Sequence, residues 1–391
     1  AVSAARGPGA GTAGTAVTTV RALTLRPRRC YAAPVSFPSA ADLAALVHAA
    51  FGADAAVAAR HDLAGDASTR RYLRLDLDGP GVPPTAVVMV LADRAVSISS
   101  DELASLPADL QELPYVNVHH FLDRIGVPVP RLLADHSARG LLLLEDVGDT
   151  TLWSVVENAG AEDAFAWYER AIAELVRLHV AGTRARDETC IAFHQQFDRR
   201  LFRWELDHFL EWGVLAHRDA PLPAAEAGVL ERAFDAIAAE LDAAPRVLNH
   251  RDYHSWNLHV HDGRVRVIDF QDALLAPVPY DLATLLGDRD TPLVVSRDLE
   301  LRLLEAFRRH WAAAGGAPLE PAPFARTYDL CALQKALKVV GRFHYLDRVK
   351  GKPGYLRYLP TTVRQVRRVA ARLDGLGDLA AVLDALLPQE A

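Results

Sequence analysis

The sequence predicts an α+β chain of two unequal lobes: a small β-rich lobe, then a larger, mainly helical lobe with one β-hairpin embedded in it. Three observations carry this. Between residues 55 and 147 apolar and polar residues alternate in several short runs, the period of a half-buried strand. From Thr151 onward apolar residues recur every three or four positions instead, as on one face of a helix. Inside that helical half, NLHV and RVRVI flank Asp262-Gly263, a pair suited to a two-residue hairpin turn.

Bulk composition narrows the function classes. The chain has 391 residues, enough for two domains, and half of them are hydrophobic, enough for a large core. A formal charge of −7 argues against nucleic acid as the main partner, since that binding draws on clustered Lys and Arg. No apolar run approaches the roughly 18 residues of a membrane span. Cys30, Cys190 and Cys331 are isolated, without CxxC spacing, and read as reduced thiols. A cytoplasmic protein without nucleic-acid, membrane or obligate protein partners is the expectation. All four lysines lie at Lys335, Lys338, Lys350 and Lys352, so chemistry that needs a cation earlier in the chain must use Arg or His.

In chain order, residues 1–38 are rich in Ala, Gly and Thr and hold five Arg but no Asp or Glu. They read as a disordered extension, either of transit-peptide type or arising from a misassigned start codon. Their GPGAGTAG has no strand before it and no helix after it, so its glycine spacing carries no weight. Residues 39–147 form the first lobe. Ser39, Asp42 and Gly52 cap and close a helix over SAADLAALVHAAFG. Tyr72 to Leu77, a Gly/Pro turn, and Ala86 to Leu91 predict a hairpin. A helix near Val116 to Ile125 and two strands in VPVPRLLADHSARGLLLLEDVG follow. In the second lobe, residues 148–391, helical spacing runs over 161–180, 197–213, 224–241, 296–314 and 324–346.

The chemistry concentrates in NHRDYHSWNLHVHDGRVRVIDFQDA (249–273), which holds four His, four Asp, three Arg and two Asn. His250, Asp252 and His254 alternate as zinc ligands on a strand might, but a third or fourth ligand at zinc spacing is not evident, and His259 and His261 would point along one hairpin face toward solvent. A solvated polar loop would use the same residue types. Phosphoryl transfer fits better. It needs a carboxylate to orient the acceptor hydroxyl and two hard oxygen ligands for Mg²⁺. HRDxxxxN supplies Asp252 and Asn257, and VIDF supplies Asp269. A two-residue turn would pair Leu258 with Val267 and Val260 with Val265, returning Asn257 and Asp269 to the same end of the ladder.

This stretch resembles the catalytic loop of the aminoglycoside phosphotransferase and choline kinase family, whose fold is bilobal and protein-kinase-like. The resemblance covers about residues 40–360. GDASTRRYLR, RGLLLLEDVGDTTL, WELDHFLEWG, VIDFQDALLAPVPYDLATLL, QKALKVVGRF and GKPGYLRYLP are most similar to bacterial cell-wall-recycling kinases that phosphorylate N-acetylmuramate and N-acetylglucosamine at the anomeric hydroxyl. The resemblance implies an ATP- and Mg²⁺-dependent kinase of an amino sugar. Asp252 would be the catalytic base and Asn257 and Asp269 the metal ligands, while His250 and Asp281 would brace the loop; the alternative for Asp281 is a simple cap on its own helix. The backbone around Glu145 to Val147 would hydrogen-bond the adenine.

The strand PTAVVMVLAD lacks the Lys that usually pairs with ATP phosphates in this fold. An Arg of STRRYLR, Arg71 above all, is expected to replace it, beneath a phosphate-covering loop over 65–69 that includes Ser68. For the acceptor, Glu205, Asp272 and His254 are the expected contacts, with Asp207, Glu211, Trp212 and Trp256 as further candidates. Lys335, Lys338 and Arg342 share one helical face, as either a solvated basic stripe or a partner for the lactyl carboxylate of muramate. A kinase of aminoglycosides, choline or homoserine and a catalytically silent nucleotide-binding module are the alternatives.

Overall fold

In the computed structural model residues 38–63, 70–91 and 112–388 are described. The expectations for residues 1–37, including Cys30, and for Ser68 and the rest of 65–69 lie outside them. Pro38–Ala391 forms one compact unit.

Helix α1 (Ala40–Phe51) starts at Ser39, whose hydroxyl accepts from the Asp42 N–H while the Asp42 carboxylate accepts from Ser39 N–H, a capping box. Next come β1 (Ala56–Leu63), β2 (Arg71–Asp78) and β3 (Thr85–Val90). Helix α2 (Pro114–Arg124) carries a proline in its first turn, where its missing N–H costs nothing. Strands β4 (Leu132–His136) and β5 (Leu141–Glu145) complete a five-stranded antiparallel sheet in the order β1-β2-β3-β5-β4. The expected hairpin is β2–β3, with Leu75 opposite Ala86. Strand β1 was not anticipated: AVAARHDL buries little on either face, so its alternation is faint, and its place comes from pairing with β2.

The second lobe opens with α3 (Leu152–Val156) and α4 (Ala161–Val176), which passes through a π-helical turn (Arg177–Ala181) into α5 (Gly182–Arg184). Helix α6 (Arg199–His208) runs into a second π-helical turn (Phe209–Val214), and α7 (Ala224–Ala243) follows. Four short strands come next: β6 (Arg246–Asn249), β7 (Leu258–His261), β8 (Arg264–Val267) and β9 (Leu274–Pro277). Helices α8 (Tyr280–Gly287), α9 (Thr291–Val294), α10 (Arg297–Ala313), α11 (Pro321–Arg348), α12 (Leu359–Ala370) and α13 (Leu379–Leu386) complete the lobe. The 28-residue α11 runs through the centre of this lobe and packs on α6, α7, α8 and α12. At Gly341 it passes so close to the π turn after α6 that a Cβ would lie 2.7 Å from Phe209 Cα.

The hairpin forms in the expected register, with Leu258 opposite Val267 and Val260 opposite Val265. Asp262 (φ 50°) and Gly263 (φ 70°) both take positive φ, as a tight type I′ turn requires. A second pairing, β6 with β9, brackets the hairpin and was not foreseen. Among the described residues no helix is long and apolar enough to cross a membrane.

Candidate active site

The loop between β6 and β7 is held by side chains that face inward. Asp281, on the first turn of α8, does not cap its own helix: its carboxylate accepts the backbone N–H groups of His250 and, at 2.9 Å, of Arg251. Asn249 Oδ1 accepts from Asp281 N–H in return, and the His250 ring donates from Nε2 to the Ile268 carbonyl at 2.9 Å. These bonds hold Arg251 at φ 81°, a conformation that costs a bulky residue roughly 1–2 kcal/mol. The turn at Arg251 presents Asp252 to the cleft between the lobes, with 38% of its side chain exposed.

Asp252 meets a cation the sequence left without a partner. Lys335 of α11 donates from Nζ to Asp252 Oδ1 at 2.9 Å and to the Arg251 carbonyl at 3.1 Å. Burial alone would raise the Asp252 pKa, but Lys335, Lys338 and Arg251 together hold it well below the usual carboxylate range. Glu205 lies beneath. It accepts from Gln334 Nε2 at 2.7 Å, and its Oε1 is 3.5 Å from Lys338 and 3.9 Å from Arg251. This corrects the expectation for Glu205: it is fully buried and balances the cations under Asp252 instead of reaching an acceptor.

Asn257 and Asp269 stand at the base of the hairpin, as the register requires. Asn257 Nδ2 donates to the Asp252 carbonyl at 3.0 Å, which leaves Oδ1 as its free lone-pair donor. Asp269 takes φ 64°, a conformation Asp tolerates better than most residues. Phe270 fixes it there by packing against Tyr115 of α2 at 4.8 Å, so this carboxylate is tied to both lobes. Burial raises the Asp269 pKa and neighbouring Asp272 adds to this, beyond what Arg70 offsets. Gln271 Nε2 donates at 3.0 Å to both Asp269 and Asp272. An amide oxygen and a half-exposed carboxylate are the hard donors Mg²⁺ selects, and Mg²⁺ sites often use only one or two protein carboxylates beside phosphate and water oxygens. Among the described residues no three His, Cys, Asp or Glu converge on a metal position, which removes the zinc cage.

Arg71, the arginine expected to serve phosphate, is not the one that faces Asp269. Arg71 is 42% exposed and faces Asp62, 3.6 Å away, on β1. Arg70 is the inward one: it is 7% exposed and its Nη1 lies 3.4 Å from Asp269 Oδ1. Alternation across the strand puts neighbours on opposite faces: Arg70 shares its parity with Tyr72 and with Arg74, which binds Asp146 and Asp149, whereas Arg71 has the parity of Leu73, Leu75 and Leu77.

The segment after β5 is pinned from both sides. Arg74 of β2 binds Asp146 (2.6 Å) and Asp149 (2.7 Å), and Gly148 N–H donates to Asp146. His259 donates from Nδ1 to the Gly148 carbonyl at 2.8 Å, so it anchors this connection and does not face solvent as expected. The Glu145 carboxylate accepts from Arg266 and from Arg131 N–H, which commits its side chain to scaffolding, while Val147 is buried.

His254 is 9% exposed, and burial pushes its pKa down to about 4, so it is a neutral ring beside Asp252. Trp256 stacks on Trp153 at 4.8 Å, with Arg289 4.9 Å from its ring centroid, which leaves Trp256 little free face. Asp207 is bound to Arg203 at 2.9 Å.

Comparison with known proteins agrees with this geometry. The phosphotransferase enzyme family profile matches residues 60–324. A Pseudomonas aeruginosa protein named N-acetylmuramate/N-acetylglucosamine kinase is 34% identical over 282 residues, 71% of this chain and 79% of that protein. A Caulobacter vibrioides protein of the same name is 31% identical over 322 residues, 77% and 85% of the two chains. Among solved structures, an amicoumacin kinase in complex with AMP-PNP, Ca²⁺ and Ami superposes with a TM-score of 0.53 at 14% identity, covering 84% of this chain and 92% of its own. A β-sheet lobe over a helical lobe, with the HRDxxxxN loop and its hairpin between them, is thus the kinase-like architecture of this group, and the chain belongs to the phosphotransferase enzyme family.

Proposed function

We propose that this protein is an ATP- and Mg²⁺-dependent cytoplasmic kinase that transfers the γ-phosphoryl group to the anomeric hydroxyl of N-acetylmuramate, N-acetylglucosamine or both. The observation that carries the reading is the Asp252 carboxylate, exposed to the cleft, held by Lys335, and placed on one loop with Asn257 and close to Asp269. The names of its relatives supply the acceptor class.

In this reading Asp252 Oδ2 accepts the hydrogen bond of the sugar hydroxyl and aims its oxygen for in-line attack. Kept a weak base by its cations, Asp252 acts chiefly by orientation and takes the proton late, in keeping with a loose transition state. Asn257 Oδ1 and Asp269 would hold Mg²⁺, which would supply charge neutralisation at the transferring phosphoryl group. Arg70 faces the same phosphates in place of the strand lysine, its planar fork suited to phosphate oxygens. Backbone groups from Glu145 to Val147 meet the adenine, and Asp272 and His254 remain as acceptor contacts.

Isotope-labelled ATP offered with N-acetylmuramate, N-acetylglucosamine, an aminoglycoside, choline and homoserine tests this. Labelled sugar 1-phosphate is the expected product. Transfer only to an aminoglycoside, choline or homoserine would redirect the reading, and nucleotide binding without transfer to any acceptor would defeat it.

A further inference from the structure

The acceptor side of the cleft carries more positive than negative charge. Arg251, Lys335 and Lys338 gather around two carboxylates, Asp252 and Glu205. Lys335 is committed to Asp252 and to a backbone carbonyl. Lys338 keeps 18% exposure, and the Glu205 oxygen it faces, Oε1, has no hydrogen-bond partner. One turn further along the same face of α11, the half-buried Arg342 stands 5.3 Å from the Tyr345 ring centroid.

The aromatic wall beside these cations is built, not incidental. His208, at the end of α6, is 8% exposed and its Nε2 has no partner. Its ring stacks on the partly exposed Trp204 at 5.4 Å and meets Tyr345 edge-on at 5.6 Å, and Trp212 meets Tyr345 at 5.3 Å. The π-helical turn at Phe209–Val214 and the close approach at Gly341 bring this aromatic wall against α11. Burial, with Arg342 and Lys338 alongside, pushes the His208 pKa down to about 4, so the ring adds no charge of its own. The result is a surface with two cations, buried unpartnered polar atoms and aromatic rings, near the carboxylate proposed to orient the hydroxyl.

We propose that Lys338 and Arg342 form a subsite for a carboxylate on the acceptor sugar. The inference rests on the function proposed above and deepens it: N-acetylmuramate carries a lactyl carboxylate and N-acetylglucosamine carries none. With the reacting hydroxyl at Asp252, beside Lys335, a substituent two ring carbons away falls about one helical turn along α11, ~5 Å, at Lys338, and its carboxylate extends toward Arg342 one turn beyond. A carboxylate there gives Lys338 a second partner beside Glu205 and faces Arg342, while an uncharged sugar supplies neither contact.

Arg342→Gln in the full chain is the test, because Arg342 is only half buried and removing its charge leaves the Lys335–Asp252 bond in place. Initial rates are measured with each sugar and with varied ATP. The expected result is a fall of about tenfold (about 1.4 kcal/mol) in the ratio of kcat/KM for N-acetylmuramate over N-acetylglucosamine, arising in KM, with partial recovery in Arg342→Lys. A ratio unchanged within twofold overturns the proposal, as does a rise in KM for ATP shared by both sugars, which would assign the cations to phosphate. Calorimetry separates this from the kinase reading. N-acetylmuramate binding without transfer, weakened in Arg342→Gln, would keep the subsite and sink the kinase; neither binding nor transfer sinks both.

Discussion

Asp252 and Asp269 sit at opposite ends of one short segment, line the same cleft, and live in opposite electrostatic surroundings. Arg251, Lys335 and Lys338 surround Asp252 and hold its pKa well below normal. Asp269 lies beside Asp272 with Arg70 as its nearest cation, and burial raises its pKa. Under the proposed function, these surroundings suit two identical side chains to two tasks. The first is ready-charged and already balanced by the protein, so it can orient a neutral hydroxyl without demanding a counter-ion. The second is short of positive charge, which suits a carboxylate that waits for a divalent ion.

The largest blow to this division is Asp252→Ala, which is expected to cut kcat by about 10⁴-fold, the upper range for a positioned acid–base group, with nucleotide affinity retained. Substantial activity in Asp252→Asn would show that hydroxyl orientation lies elsewhere. Asp269→Asn should follow at about 10³-fold, and its signature is different: the Mg²⁺ concentration for half-maximal rate should rise, whereas it should stay put in Asp252→Asn. If both variants shift the metal dependence equally, the two carboxylates do not divide the work.

Lys335→Ala is expected to lower kcat about 100-fold with little change in either KM, since Lys335 acts through Asp252. Lys335→Arg should restore part of the loss. A fall in melting temperature with kcat intact would make Lys335 merely structural.

The smallest effect is on stability against pH. His208, near 6.5 when unfolded and about 4 when folded, is neutral in the native state. A depressed folded pKa means that its contribution is present above about 6.5 and is lost as pH falls toward 4, at up to about 1.4 kcal/mol per pH unit. Urea titrations of His208→Gln from pH 7 to 4 should show a shallower decline than the parent chain; parallel curves would contradict the assignment.

Much of this was legible in residue order. The hairpin register followed from alternation and Asp262-Gly263, because turn chemistry and a period of two leave one good pairing. That register alone returned Asn257 and Asp269 to one end. The capped start of α1 and most helix cores were equally local. What failed to show was whatever depends on which way a side chain turns. Arg70 and Arg71 are adjacent and chemically identical, and only the placement of the sheet's two faces decides which one meets Asp269. Glu205 and Lys338 are far apart in the chain, so nothing in either neighbourhood announces that they would meet under Asp252.

The sequence by itself therefore determined the two lobes, the catalytic loop with its hairpin, and the residue types available for phosphoryl transfer, because these depend on short-range periodicity and turn preference. Only the tertiary structure decided the charge environment of each carboxylate. Coulomb interactions act across space, and α6 and α11 reach the β6–β7 loop through packing that no local pattern records.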